Sequence, residues 1–193
     1  MVTSQVLTKP IFSKEACQLL PLAQKDKITI EILTDIYHRL IEEDLYKTVF
    51  HETPEMTYWN YLQAMTLPST LVQVFCDIGG EKPQVAGMAW LMALEQTGSG
   101  LVKGLGNFCF FRNYHYPDWT SEFGKMCVSY WIDTLEVHSI VGVMPEPNRA
   151  AIRYAKRVGF QEVGTLKRHT IFNEEICDAV VTQITAEEWS NHG

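Results

Sequence analysis

The sequence predicts an α/β fold in three layers: a mixed, mostly antiparallel sheet with helices on both faces. Three observations carry this. Between residues 71 and 94 the apolar residues fall into two extended runs separated by Gly79-Gly80-Glu81-Lys82, a hairpin signal. Between residues 123 and 135, Phe123, Met126, Cys127, Tyr130, Trp131, Thr134 and Leu135 recur at the spacing of a helix laid on a sheet. From Val137 to Phe160 a strand, a corner, a helix and a glycine stop follow one another as one supersecondary unit.

Each element can be read in order. Residues 12–24 read as a short helix ended near Pro21. A stronger helix runs from about 29 to 49, with Ile32, Leu33, Ile36, Leu40, Ile41 and Leu45 on one apolar stripe. Residues 57–65 make a third, aromatic through Tyr58, Trp59 and Tyr61. After Pro68 the period becomes extended, with strands at 71–78 and 85–94. Gly98-Ser99-Gly100 turns the chain into a strand around 106–111, and Asp118 is the expected cap of the helix after it. The strand 137–143 meets a Pro-Glu-Pro corner. Asn148 then caps a helix that carries Ala151, Ile152, Ala155 and Val158 on one face. Gly159 ends that helix, since glycine takes the left-handed conformation without penalty, and Phe160 starts the next strand. No linker or repeat divides the chain, so 1–193 reads as a single domain, with a helical part over residues 1–70 and the sheet core over 71–189.

Composition narrows the function. A chain of 193 residues, 46% hydrophobic and 20% charged, buries roughly 70% of its unfolded surface as an ordinary globular protein. A net charge of −7 argues against a sequence-independent grip on nucleic acid, which needs clustered cations. Cys17, Cys76, Cys109, Cys127 and Cys177 form an odd set without a C-x-x-C pair, which reads as reduced, buried thiols in a cytoplasmic protein. No apolar run approaches the roughly 20 residues of a membrane span, and the first residues lack a signal-peptide layout. There is no P-loop, no G-x-S-x-G and no H-E-x-x-H or other metal spacing, so no metal is expected.

The stretch from Asn148 to Phe160 resembles the GNAT superfamily of acyl-CoA-dependent N-acyltransferases, in which an Asn begins the last core helix, a small residue follows three positions on, and Gly-Phe closes the unit. Residues 159–166 look like that family's bent strand. Residues 177–189 look like the closing strand of its ribosomal-protein N-terminal acetyltransferase branch. The resemblance covers about residues 71–189 and implies a GNAT-like arrangement of the three layers. It implies acetyl-CoA, or another acyl-CoA, as co-substrate. The implied acceptor is a primary amine, on a protein N-terminus or lysine in preference to a small molecule, attacked directly in a ternary complex. The chain also faintly resembles divergent GNAT-like proteins of tailed phages, which implies the alternative of a binding or assembly module without catalysis, with a homodimer or assembly partner.

By that resemblance the cofactor would meet Phe110, Arg112, His115, Ser121, Asn148, Ala151 and Arg153. The family binds the CoA pyrophosphate on backbone amides in a pattern of Gln or Arg, two residues, Gly, one residue, Gly or Ala. Arg112 fits the first position, but His115 and Pro117 replace the small residues, and proline removes a donor. Either the loop recruits Arg112, His115 or Ser121 for the phosphates, or CoA binds poorly. Many family members take a general acid from a Tyr seven residues after the Asn. Here Ala155 holds that place and Tyr154 lies about 100° away around the helix. His138, Glu146 and His115 are the available general bases.

Overall fold

The computed structural model of the chain describes residues 17–21, 27–51, 57–78, 81–96 and 102–191. Seven strands form one sheet: β1 (Cys17–Pro21), β2 (Thr70–Asp77), β3 (Gln84–Gln96), β4 (Val102–Phe110), β5 (Val137–Pro145), β6 (Gln161–Phe172) and β7 (Glu175–Thr185). Their order is β1-β2-β3-β4-β5-β7-β6, with every neighbouring pair antiparallel except β4 and β5, which run parallel. The helices are α1 (Lys27–Glu42), α2 (Tyr46–Val49), α3 (Tyr58–Met65), α4 (Pro117–Ser129), α5 (Arg149–Val158) and α6 (Ala186–Ser190). A π-helical turn, Tyr130–Thr134, continues α4.

Alternation along the strands separates two faces, because directly paired residues point the same way. Val74, Met88 and Cys109 are mutual partners in register, and Tyr61 of α3 donates its hydroxyl to Met88 Sδ at 3.9 Å. Two residues on, Trp90 stacks with Phe50 at 5.6 Å, so α1–α3 and their connection cover this face. Phe75, Gly87 and Phe110 share the opposite face. There Phe75 meets Phe123 of α4 at 4.5 Å, and Phe108 meets Trp131 at 5.5 Å. The three layers follow from these two parities.

Several elements depart from the sequence reading. Residues 17–21 are an edge strand rather than helix, so residues 1–70 are not wholly helical; the rest of the 12–24 reading lies outside the described residues. The helix read over 29–49 breaks after Glu42. Asp44 takes φ 53°, and the Asp44 and Leu45 amides turn back to Ile41 O and Leu40 O. That is the glycine-type helix stop, here made by an aspartate whose short polar side chain tolerates the left-handed region. Pro117, not Asp118, opens α4, with Tyr116 as the cap residue. The closing strand ends at Thr185, where a Thr185–Glu188 capping box starts α6, so Trp189 lies on a helix. Gly79, Gly80 and residues 98–100 lie outside the described residues, while β2 and β3 pair antiparallel as the hairpin signal requires. β6 is an edge strand exposed along most of its length, with Val163 57% accessible.

Candidate functional site

β4 and β5 pair only from Val102 to Leu105, against Val137 to Val141. Beyond that β4 stays with β3 as far as Phe110, and β5 stays with β7 as far as Pro145. The two strands therefore diverge inside the sheet and leave facing edges with no shared ladder. The opening holds about 710 Å³ of empty space, counting what opens to solvent. Gly106 to Phe108 form one wall and Gly142 to Pro145 the other. One helical layer contributes Thr48, Val49 and His51 with Trp90 from β3; the other contributes Asn148, Ala151 and Tyr154 from the start of α5. The slot thus runs through the sheet.

The position of α5 follows from its ends. Asn148 Oδ1 accepts the Ala151 amide at 3.2 Å, while the same side chain lines the slot, so one residue caps the helix and forms the wall. At the other end Gly159 adopts φ 118°, and the Phe160 amide returns to Ala155 O at 3.0 Å. Before α5, the Glu146 amide donates to Asp178 O at 2.8 Å and the Glu146 carboxylate pairs with Arg149.

A second groove adjoins the slot between the starts of α4 and α5. Phe108, Ala151 and Tyr154 are common to both, and Phe110, His115, Pro117, Thr120, Ala150 and Arg157 complete it. The loop ahead of α4 is closed on itself. Arg112 N donates to Glu43 Oε2 at 2.6 Å, Tyr114 N to Phe111 O at 2.9 Å, His115 N to Arg112 O at 3.4 Å and Tyr116 N to Tyr114 O at 2.9 Å. Pro117 has no amide hydrogen to offer. His115 Nε2 is 2.6 Å from Phe110 O. Ser121 Oγ donates to Pro117 O at 2.6 Å and accepts from Arg157 Nε at 3.2 Å.

Tyr154 stands between slot and groove. Its ring meets Phe108 and Phe110 edge-on at 5.4 and 5.5 Å, and its hydroxyl donates to Thr120 O of α4 at 3.2 Å. α4 makes room with Gly124, where a Cβ would lie 2.4 Å from that hydroxyl. Burial holds the phenol pKa well above its ordinary value, with the Cys127 charge adding and Arg157 opposing. The hydroxyl is a protonated strut between helices, turned towards α4.

The structure brings Asn148, Ala151 and Tyr154 to the slot, and Phe110 and His115 to the groove. Ser121 is buried beside the groove and acts on it through Arg157. His138 is exposed near the start of β5, away from the Gly142–Pro145 wall, and Glu146 follows that wall without lining the slot. Arg112 and Arg153 are exposed and line neither space. Sequence reasoning missed Arg157, because nothing in the run of Arg149, Arg153, Lys156 and Arg157 marks the one that turns to α4. It also missed His51, Trp90, Asn107 and Thr182, which only the strand divergence brings together. Among the described residues lining the slot, His51 and Tyr154 are the titratable ones. Among the described residues no three His, Cys, Asp or Glu cluster as a metal site, and no helix is long and apolar enough to cross a membrane.

No protein-family model and no curated protein matches the chain. Solved structures do. Spermidine N-acetyltransferase from Vibrio cholerae in complex with CoA and spermine has a TM-score of 0.69 at 15% identity, over 92% of this chain and 99% of that one. A dodecameric structure of that enzyme in an intermediate state gives 0.70 at 14% identity, over 93% and 99%. A SpeG chimera from Vibrio cholerae and hSSAT gives 0.70 at 17% identity, over 91% and 99%. At these identities the likeness is one of fold, and the fold is GNAT-like, as the sequence predicted.

Proposed function

We propose that the chain is an acyl-CoA-dependent N-acyltransferase, most simply an acetyltransferase, acting on a primary amine in the slot between β4 and β5. The observation that carries this is the pair of interior strand edges left without a ladder. Unpaired backbone amides and carbonyls in a sheet need partners, and an extended ligand bearing amides, such as the pantetheine arm of CoA, supplies them as an added strand does. Ala150 and Ala151 at the start of α5 allow such an arm close to the helix. The apolar faces of Phe108 and Phe110 suit its methylenes.

The thioester supplies an activated acyl carbon. The chain's part is to hold that carbon and the amine together in a slot that excludes bulk water, and such positioning alone is worth several kcal/mol, up to about 11, in favourable cases. Asn148 orients the donor arm, and His51 is the imidazole among the described lining residues that can take the amine's proton. Vibrio cholerae spermidine N-acetyltransferase is seen with the polycation spermine. Here no carboxylate lines the slot among the described residues, so we favour an acceptor with one amine on an otherwise uncharged body, such as a peptide N-terminus or a lysine side chain. Assembly of copies, as in the dodecamer, belongs to the same proposal.

A second reading is a GNAT-fold module that binds without catalysing. It is favoured by the self-bonded loop from Arg112 to Tyr116 and by a Tyr154 hydroxyl turned to α4. Thermal unfolding with acetyl-CoA, followed by thiol release across a panel of amines and peptides, separates the two. At a hundred times Kd, binding adds about 2.7 kcal/mol, a rise of several degrees. No shift at millimolar acetyl-CoA rejects the proposal; a shift without thiol release from any acceptor favours the module.

A further inference from the structure

We infer that Arg157, held in place by Ser121, is the clamp for the diphosphate of the acyl-CoA, doing with a side chain what the loop before α4 does not do with its amides. The inference rests on the reading of the slot as an acyl-CoA site. The loop amides of Arg112, Tyr114, His115 and Tyr116 already have acceptors within the chain, and Pro117 has no N–H, so a phosphate arriving there meets few donors. The groove beside it is nonetheless suited to an anion. Among the described residues no carboxylate lines it, and Arg157 is its permanent cation.

Three of the four cations of α5 are otherwise placed. Arg149 pairs with Glu146, Lys156 pairs with Glu162, and Arg153 lines neither groove nor slot. Arg157 instead lies across α4, its Nε donating to Ser121 Oγ at 3.2 Å, and Ser121 is fixed in turn by donating to Pro117 O at 2.6 Å. This uses one of the five guanidinium donors. Among the described residues no acceptor engages the two Nη groups, which leaves a planar fork of the geometry that matches paired phosphate oxygens. Orienting a cation before the ligand arrives lowers the ordering cost of binding. Ser121 is therefore a positioning residue, and Arg157 the one that touches the ligand.

The test compares two donors by calorimetry or thermal shift: CoA, and S-acetyl-pantetheine, which lacks the diphosphate and the nucleotide. Arg157→Gln should weaken CoA about ten- to a hundredfold, the worth of charged hydrogen bonds, while leaving S-acetyl-pantetheine unchanged. Arg157→Lys should fall between, and Ser121→Ala should weaken CoA by a few-fold without touching S-acetyl-pantetheine. If Arg157→Gln binds CoA as the wild type does, or loses both donors equally, the clamp is wrong although the slot may stand. A wild type that binds S-acetyl-pantetheine but gains nothing from the CoA nucleotide also overturns the clamp alone. A wild type that binds neither overturns the slot reading itself. Should Arg157→Gln unfold early, the Arg157→Lys comparison decides, since it keeps the charge and the aliphatic stem.

Discussion

The Glu43 carboxylate accepts the Arg112 amide at 2.6 Å, which ties the end of α1 to the loop ahead of α4 across 69 residues of sequence. Its other oxygen receives Arg39 Nη2 at 3.3 Å, and the Arg39 guanidinium lies 3.6 Å over the Phe111 ring while donating to Val85 O. One helix-end carboxylate thus fixes the entry to the groove and the packing of α1 on the sheet.

Glu43→Ala should leave the Arg112 amide without its acceptor and Arg39 without its carboxylate. The expected loss is about 1–3 kcal/mol, read as a lower urea midpoint. A midpoint at the wild-type value would mean that the latch contributes nothing net.

Gly124→Ala places a methyl 2.4 Å from both the Tyr154 hydroxyl and Val158 Cγ2, so α5 must move off α4, at a cost of about 1–3 kcal/mol. Tyr154→Phe removes the donation to Thr120 O and should cost about 0.5–1.5 kcal/mol. Combined, the two should cost less than their sum, because the phenylalanine vacates part of the space the methyl needs. Because the hydroxyl faces α4, Tyr154→Phe should retain the wild-type kcat; a fall of a hundredfold or more would restore Tyr154 as the acid.

Asn148→Ala removes the acceptor of the Ala151 amide. About 1 kcal/mol of stability should be lost, and the acetyl-CoA thermal shift should shrink with it. A full shift with the expected loss of stability would make Asn148 a helix cap and nothing more.

Burial pushes the Cys109 thiol up to about 12, with the Glu43 charge adding and Arg39 opposing, and burial raises Cys127 well above its ordinary value of 9.0. At pH 8 this leaves only about one Cys109 thiolate in ten thousand, so alkylation followed by mass spectrometry should leave both residues unmodified until the chain unfolds. The same shifts set a pH dependence. Above pH 9 the unfolded chain releases protons that the folded chain keeps, so stability should decline as pH rises from 9 towards 12. Prompt labelling of Cys109 in the folded protein would contradict both.

The unit from β5 through α5 to Gly159 was legible because each boundary is set locally: Asn148 caps, Gly159 stops, and the apolar face has helical spacing. β1 was not, because residues 17–21 become a strand only by pairing with β2, a contact with partners at residues 73–77. Asp44 hid the break after α1 because aspartate can take the left-handed turn that the eye assigns to glycine. The family resemblance pointed to one half of the site, the start of α5. The other half arises where two strands part, and no residue type announces a ladder that stops.

That parting has a mechanical consequence. β1 to β4 form one plate and β5 to β7 another, and the strands join them through four residue pairs alone, Val102–Val137 to Leu105–Val141. Phe110 lies five residues past this joint, roughly 16 Å along an extended strand. With that lever arm, a tilt of only a few degrees between the plates changes the gap at the far end by about 1 Å. The α4–α5 strut at Thr120 and Tyr154 braces the adjoining groove. The span across which two molecules would meet is thus governed by a seam remote from both.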